Sequence, residues 1–155
     1  MDTNKTIFLS KKGIKELKKE ITRLEREHHE TFSSLREIDK TDSHEERLER
    51  MERLSHLELL ENELTEKKYI LAHAKMLPRK RDVIKVALGS VVDLIDTNGR
   101  IVRYTVVDSH EADPSDGRIS VLSPLGRSLV GKQLKDMVEW SAGLATRRLQ
   151  LIAIT

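Results

Sequence analysis

The chain has 155 residues, of which 35% are charged and 3% aromatic, and this composition favours long solvated helices over one large globular core. The absence of cysteine excludes disulfides and cysteine-ligated zinc, and a formal net charge of only +2 gives no argument for nucleic-acid binding. No apolar run approaches the roughly 20 residues that cross a bilayer, and no signal-peptide pattern opens the chain. We therefore expect a cytoplasmic protein without a membrane partner.

The glycine and proline content of the sequence changes at Pro78. The residues before it include one glycine and no proline, whereas six glycines and three prolines occur from Pro78 onward. Glycine and proline mark turns and breaks between elements. We therefore predict a first segment over residues 1–77, a basic linker over residues 78–82, and a second domain over residues 83–155.

The first segment predicts two helices with apolar seams. Seam residues alternate three and four apart in each predicted helix. They are Ile14, Leu17, Ile21, Leu24, His28, Thr31, Leu35 and Ile38 in the first, and Leu57, Leu60, Leu64, Lys67, Leu71 and Ala74 in the second. Ser10 is a candidate N-cap of the first helix. A polar stretch separates the seams, so we expect an antiparallel coiled-coil hairpin over residues 10–77, with its turn between about 39 and 45.

The second domain predicts a small sheet with one helix. Runs rich in β-branched residues predict strands over residues 90–96, 100–107, 119–122, 137–140 and 148–154. Asn98-Gly99 predicts a hairpin, because both residues tolerate positive φ. Ser123 followed by Pro124 predicts the start of a short helix that Gly131 ends. Trp140 alternates with Val138 and is expected in the core. The fold class is therefore α+β, with one helix packed on a mainly antiparallel sheet.

Three stretches resemble one known family. Residues 119–132 (ISVLSPLGRSLVGK), residues 111–113 (EAD) and residues 9–24 (LSKKGIKELKKEITRL) are similar to the bacterial Gre transcript-cleavage factors. The resemblance covers nearly the whole chain in the right order. It implies an N-terminal coiled-coil hairpin followed by an FKBP-like α+β domain. It also implies a transcription elongation factor that enters the secondary channel of RNA polymerase, and we expect it to act as a monomer.

The hairpin tip is acidic. Residues 37–49 hold six acidic and two basic side chains, and carboxylates are ligands that suit Mg²⁺. Phosphodiester hydrolysis by two metals needs a second ion near the attacking water. The family resemblance implies that the tip helps to hold this Mg²⁺ jointly with the polymerase, which then cuts the nascent RNA 3′ end. The factor would activate the polymerase's own nuclease without being an enzyme, and no cofactor would be tightly bound to the free protein.

Two acids match the family's tip motif of an aspartate and a glutamate three residues apart. They are Asp42 and Glu45, to which the resemblance assigns the catalytic and metal-binding roles, with Glu46 and Asp39 as possible substitutes. The rest of the motif departs from the family, because Thr41 stands for its glycine and Glu46 for its asparagine. These departures keep an alternative open, in which a Gre-like channel binder inhibits or modulates the polymerase without stimulating cleavage.

In the family the C-terminal domain grips the polymerase rim beside the channel. The residues here that match the family best are Ser123, Pro124, Leu125, Gly126 and Arg127, and we assign them to partner binding. Part of this match could serve only the turn and the helix cap.

Other function classes account for fewer features of the sequence. An acidic turn on a charged helix pair is, on composition alone, most often only a solvated surface. A structural coiled-coil protein would leave the C-terminal motif unexplained. The FKBP-like resemblance suggests prolyl isomerase activity by fold analogy alone, and five aromatic residues supply an aromatic pocket poorly. The chain also lacks a phosphate-binding glycine loop and a nucleophile elbow.

Overall fold

The computed structural model describes residues 6–38, 43–78 and 83–155 of the chain. Within these residues the α-helices are α1 (Lys11–Ile38), α2 (His44–His73) and α3 (Pro124–Leu129). The strands of the same ranges are β1 (Ile7–Leu9), β2 (Ala74–Met76), β3 (Val91–Ile95), β4 (Ile101–Val107), β5 (Arg118–Ser120), β6 (Met137–Ala142) and β7 (Ala145–Ile154). The chain divides into two compact units. One contains Lys12–Ala74, and the other contains Ile7–Lys11 together with Lys75–Thr155.

The first unit is the predicted antiparallel pair of helices. Its buried seam consists of Ile21, Leu24, Leu60 and Leu64, and each buried aliphatic side chain stabilises the pair by about 1.5–3 kcal/mol. Ion pairs across the seam show the antiparallel direction, because Glu25 contacts Lys68 at 2.7 Å while Glu27, further along α1, contacts His56 at 3.0 Å. His28, a polar seam position, is half-buried and lies 3.1 Å from a carboxylate oxygen of Glu61. The coiled-coil prediction is confirmed.

The described residues of the two helices lie on either side of the predicted turn. The last residue of α1 is Ile38, and α2 begins at His44 after an extended Ser43. Residues 39–42 lie outside the described residues, and with them two of the candidate tip acids, Asp39 and Asp42.

The prediction that the helical hairpin runs to Leu77 is wrong at its end. Ala74 was placed in the seam, but it is the extended C-cap of α2 and begins β2, which pairs with β1. The Leu77 amide donates to the Leu9 carbonyl at 3.0 Å, and Leu9 is 2% exposed. Since β1 and residues 75–76 of β2 belong to the second unit, the division of the structure differs from the predicted segments 1–77 and 83–155.

The second unit is built on a curled five-stranded sheet. The strand order is β5-β4-β3-β7-β6, in which β4 and β5 are parallel and the other neighbours are antiparallel. The mainly antiparallel α+β fold is therefore confirmed. Strand ends differ by a few residues, since β5 stops at Ser120 while β6 and β7 extend to a turn at Gly143.

The β3–β4 hairpin forms as predicted, but its turn is not the expected one. Gly99 takes a positive φ of 80°, whereas Asn98 does not. The Asp96 carboxylate accepts from the amides of Asn98 and Arg100 at 2.8 and 2.9 Å. This side chain supports a three-residue loop that ends in a left-handed glycine, the next most common hairpin connection after the two-residue turn.

The core of the second unit lies between α3 and the sheet. Its most deeply buried members are Val86, Val92, Leu94, Val106, Leu129, Val138 and Leu151. Trp140 packs against this cluster but is only half-buried, so the expectation of a core tryptophan holds in part. In the described ranges, no helix combines the length and apolar character that crossing a membrane requires.

Candidate functional site

The hairpin tip is organised by a capping box at the start of α2. The Ser43 hydroxyl accepts from the Glu46 amide at 3.3 Å, and the Glu46 carboxylate accepts from the Ser43 amide at 3.3 Å. The reciprocal pair satisfies two backbone amides that a helix start leaves without partners. The sequence pattern Ser43 to Glu46 could have revealed this box, because serine followed three residues later by glutamate is its signature.

The capping box places the two neighbouring glutamates, Glu45 and Glu46, in different environments. Glu46 is half-buried, and its carboxylate is engaged by the backbone. Glu45 is exposed, and within the described residues its carboxylate makes no hydrogen bond or ion pair. Both acids lie in the first turn of α2, where the positive end of the helix dipole stabilises negative charge. Glu45 is therefore the described tip acid that can reach for a ligand without disturbing the helix start.

The remaining described tip acids stand further back. Glu49 is ion-paired with Arg53 one turn along α2, and Glu37 is exposed near the end of α1. Among the residues that the structure describes, no three metal-ligating side chains cluster closely enough to hold a metal ion. The spatial relation between Glu45 and Asp42 falls outside the described ranges.

The segment predicted for partner binding divides into buried and exposed residues. Leu125 and Gly126 are buried, whereas Pro124 and Arg127 are exposed. Ser123 is the N-cap of α3, because its hydroxyl accepts from the Gly126 amide at 3.0 Å. Only Pro124 and Arg127 of the five are thus exposed to solvent, and the other three serve the turn and its packing.

Gly126 is fixed by a close backbone approach. A Cβ at this position would lie 1.9 Å from the Ser120 carbonyl oxygen and 3.0 Å from the Val121 Cα. Helix α3 can therefore sit against the end of β5 only with glycine here. Packing within the second unit therefore explains the glycine in this motif, and no contact with a partner protein is needed to account for it.

The Glu-Ala-Asp stretch also has a structural role that the sequence reasoning missed. Glu111 is 7% exposed, and its carboxylate accepts from both the amide (3.0 Å) and the hydroxyl of Ser10 within the second unit. Asp113 caps the turn at Pro114–Asp116, and the hydrogen bond from Ser115 lowers the pKa of its carboxyl. No local pattern could pair Ser10 with Glu111, because 101 positions separate them.

Comparisons with known proteins give the family. The family described as "Transcription elongation factor, GreA/GreB, C-term" matches residues 81–155. Transcription elongation factor GreA of Chlorobium phaeobacteroides is 33% identical over 140 residues, which cover 88% of each chain. GreA of Flavobacterium johnsoniae is 33% identical over 99 residues, so that 63% of each chain is matched, less than two thirds of that relative's length.

A solved structure is also similar in fold. The GreA factor homolog 1 (Gfh1) protein of Thermus thermophilus is 24% identical, with a TM-score of 0.45 and coverage of 97% of this chain and 99% of that one. This likeness is too weak to support a conclusion about function. The sequence matches suffice, and the chain belongs to the GreA/GreB family of transcription elongation factors. The family predicted from the residues is thereby confirmed, while the roles of Asp42, Glu45 and the segment 123–127 stay predictions.

Proposed function

We propose that this chain binds bacterial RNA polymerase and stimulates cleavage of backtracked RNA through Glu45 and Asp42 at the hairpin tip. The observation that carries the proposal is the exposed carboxylate of Glu45 in the first turn of α2, which makes no hydrogen bond or ion pair with the residues that the structure describes. It occurs in a chain that is 33% identical over 88% of its length to a protein named as a transcription elongation factor. Glu45 also completes, with Asp42, the acid spacing of the family motif.

The shape of the first unit supports delivery of these acids to a recessed site. Helix α1 has 28 residues, which at 1.5 Å each make a rod of about 42 Å. The tip carboxylates would share a Mg²⁺ with the polymerase. When bound, that ion would polarise the water that attacks the phosphodiester. Glu45 would contribute a hard oxygen ligand, and Asp42 a second one three residues earlier in the chain.

Glu46 has a different part in this proposal. Its carboxylate holds the start of α2 by accepting from the Ser43 amide, and a metal would have to compete for that oxygen. Glu46 therefore acts as a positioning residue for Glu45. Because its carboxylate is already engaged by the Ser43 amide, Glu46 is less suited to serve as a substitute metal ligand than Glu45 is to serve as a ligand.

The test uses a stalled, backtracked complex of the cognate polymerase. Glu45→Gln removes one charge but keeps the side chain's shape, so helix content and polymerase affinity should change little. RNA shortening should fall by at least about 10- to 100-fold, which is the loss typical of removing even a partner of a metal ligand, and added Mg²⁺ should restore part of it. Glu58→Gln is the matched control, because Glu58 is exposed on the same helix about 20 Å from Glu45.

Two outcomes would overturn parts of the proposal. Undiminished cleavage by Glu45→Gln would show that Glu45 is not a ligand. A wild-type chain that binds and slows nucleotide addition without shortening RNA would establish the alternative, a channel binder that inhibits the polymerase. The observation behind the alternative is the departure from the family motif, in which asparagine stands where this chain has Glu46.

The second unit would supply the grip on the polymerase. Pro124 and Arg127 present an apolar ring and a cation at the start of α3, and both are accessible to a partner. We expect Arg127→Ala to weaken polymerase binding without altering the fold. The nascent RNA would be reached only indirectly, through the polymerase.

A further inference from the structure

A cavity opens at one end of the sheet's core face, at the edge where β3 ends and β4 begins. Its volume is about 470 Å³. The strand register places its floor residues Val102 and Leu149 opposite the buried Leu94 and Val138, so they belong to the core face. Val102 and Leu149 are nevertheless only half-buried. The apolar interior of the second unit is therefore accessible at this edge.

Two aromatic side chains line the cavity. Tyr104 and Trp140 pack against the core but are half-buried. Within the described residues, neither the tyrosine hydroxyl nor the indole N–H makes a hydrogen bond, although buried Tyr and Trp usually find a partner. The two rings are also not stacked on each other within those ranges. The cavity thus offers two aromatic surfaces and two hydrogen-bonding groups to a ligand.

The rim of the cavity is cationic. Arg100, Arg147 and Arg148 line it together with Asp96. Arg148 is ion-paired with Glu139 at 2.9 Å, and the Asp96 carboxylate is engaged by the amides of its own turn. In the part of the chain that the structure describes, the guanidinium groups of Arg100 and Arg147 have no ion-pair partner. Two available cations thus lie beside the aromatic walls.

We propose that this cavity binds a mononucleotide, with the base against Tyr104 or Trp140 and the phosphate at Arg147 and Arg100. Stacking on an aromatic ring stabilises a bound base, and a guanidinium matches phosphate geometry in a bidentate manner. A volume of about 470 Å³ lies in the range of small-molecule sites. It suits one nucleotide better than a helix or a duplex. The site is independent of the tip and of Pro124 and Arg127.

The chain provides its own reporter for this site, because Trp140 is its only tryptophan. Adenosine 5′-monophosphate should change the intrinsic fluorescence of the full chain in a saturable way. Adenosine and inorganic phosphate should each bind at least about tenfold more weakly, because adenosine loses the charge-assisted phosphate contacts and inorganic phosphate loses the stacking of the base. Arg147→Gln should weaken binding by a similar factor. Of Tyr104→Leu and Trp140→Leu, each measured by calorimetry, the variant that removes the stacked ring should do the same, and no loss in either would refute stacking of the base.

Arg103→Gln is the matched control. Arg103 lies on β4 beside Val102 and Tyr104, but the alternation of strand side chains places it on the opposite face. Nucleotide affinity should therefore be unchanged in this variant.

Several results would overturn the proposal. One is the absence of a saturable signal at millimolar nucleotide. Equal binding by hexaglutamate would show attraction by charge alone, and tenfold tighter binding of a six-nucleotide RNA would indicate a single-strand groove instead. An equal loss of affinity in Arg103→Gln and Arg147→Gln would place the ligand elsewhere. None of these measurements involves RNA polymerase, so failure here and failure of the proposed cleavage role are distinguishable.

Discussion

Gly126 allows the structural and the partner-binding roles of the Ser-Pro-Leu-Gly-Arg segment to be separated. On helix propensity alone, Gly126→Ala should stabilise α3 by about 1 kcal/mol. The structure predicts the opposite. The new Cβ would meet the Ser120 carbonyl oxygen at 1.9 Å and the Ser120 carbonyl carbon at 2.9 Å. Both are backbone atoms, so no side-chain rotation can relieve the overlap.

The size of the effect follows from the displacement required. Helix α3 and the end of β5 must separate by about 1 Å, which disturbs the packing of Leu125 and Leu129 in the core. Overpacking of this kind costs about 3 kcal/mol, at the upper end of the usual range. After the propensity gain of about 1 kcal/mol, the net loss is about 2 kcal/mol. For a domain of this size, that lowers Tm by about 8–16 °C.

Calorimetry of the full chain measures this loss, with Arg127→Ala as the neighbouring comparison. Arg127 is exposed, so its truncation should leave Tm nearly unchanged and weaken polymerase binding if Arg127 is a contact. A Tm for Gly126→Ala equal to or above that of the wild type would refute the close-approach reasoning. A large fall in Tm for Arg127→Ala would show that the exposed arginine is structural as well.

Two further predictions concern the tip and the sheet. Ser43→Ala removes the N-cap and should destabilise the helical hairpin by about 1 kcal/mol, seen as an earlier loss of helical circular dichroism, whereas Ser55→Ala in the exposed middle of α2 should have no such cost. Hydrogen bonds from the Arg103 guanidinium lower the pKa of Asp93. Their stabilisation is therefore present above the unfolded pKa of about 3.9 and is lost as pH falls through the folded pKa. The Tm difference between wild type and Arg103→Gln should shrink from pH 7 to pH 2, and a constant difference would contradict the assignment.

The parts of the fold that could be predicted from sequence are those set by local periodicity. The seam spacing around Leu24 and Leu60 requires two helices, and a polar interruption between them requires a turn, because an apolar stripe must be buried against a partner. The serine and proline before α3 specify its start by capping chemistry alone. The β3–β4 hairpin was likewise signalled by Asn98-Gly99, although the carboxylate of Asp96 changed the turn type.

The missed features depend on contacts between distant parts of the chain. β1 and β2 have three residues each, too few for any periodic signal, and they exist only because they pair with each other. The Ser10–Glu111 contact and the parallel β4–β5 pair are of the same kind. The aromatic cavity was missed for a related reason. A count of aromatics suggested a poor supply, whereas the sheet register brings Tyr104 and Trp140 to one face.

The tip shows why a motif comparison by residue type is incomplete. Glu45 and Glu46 are adjacent and chemically identical, and composition treats either as a possible Mg²⁺ ligand. Their positions relative to Ser43 distinguish them, because the third residue after an N-cap can return its carboxylate to the cap amide and the second cannot. A glutamate in the third position stabilises the helix start, but its carboxylate is then no longer free to bind a metal. The departure from the family's asparagine is therefore compatible with a functional tip, provided that Glu45 and Asp42 carry the chemistry.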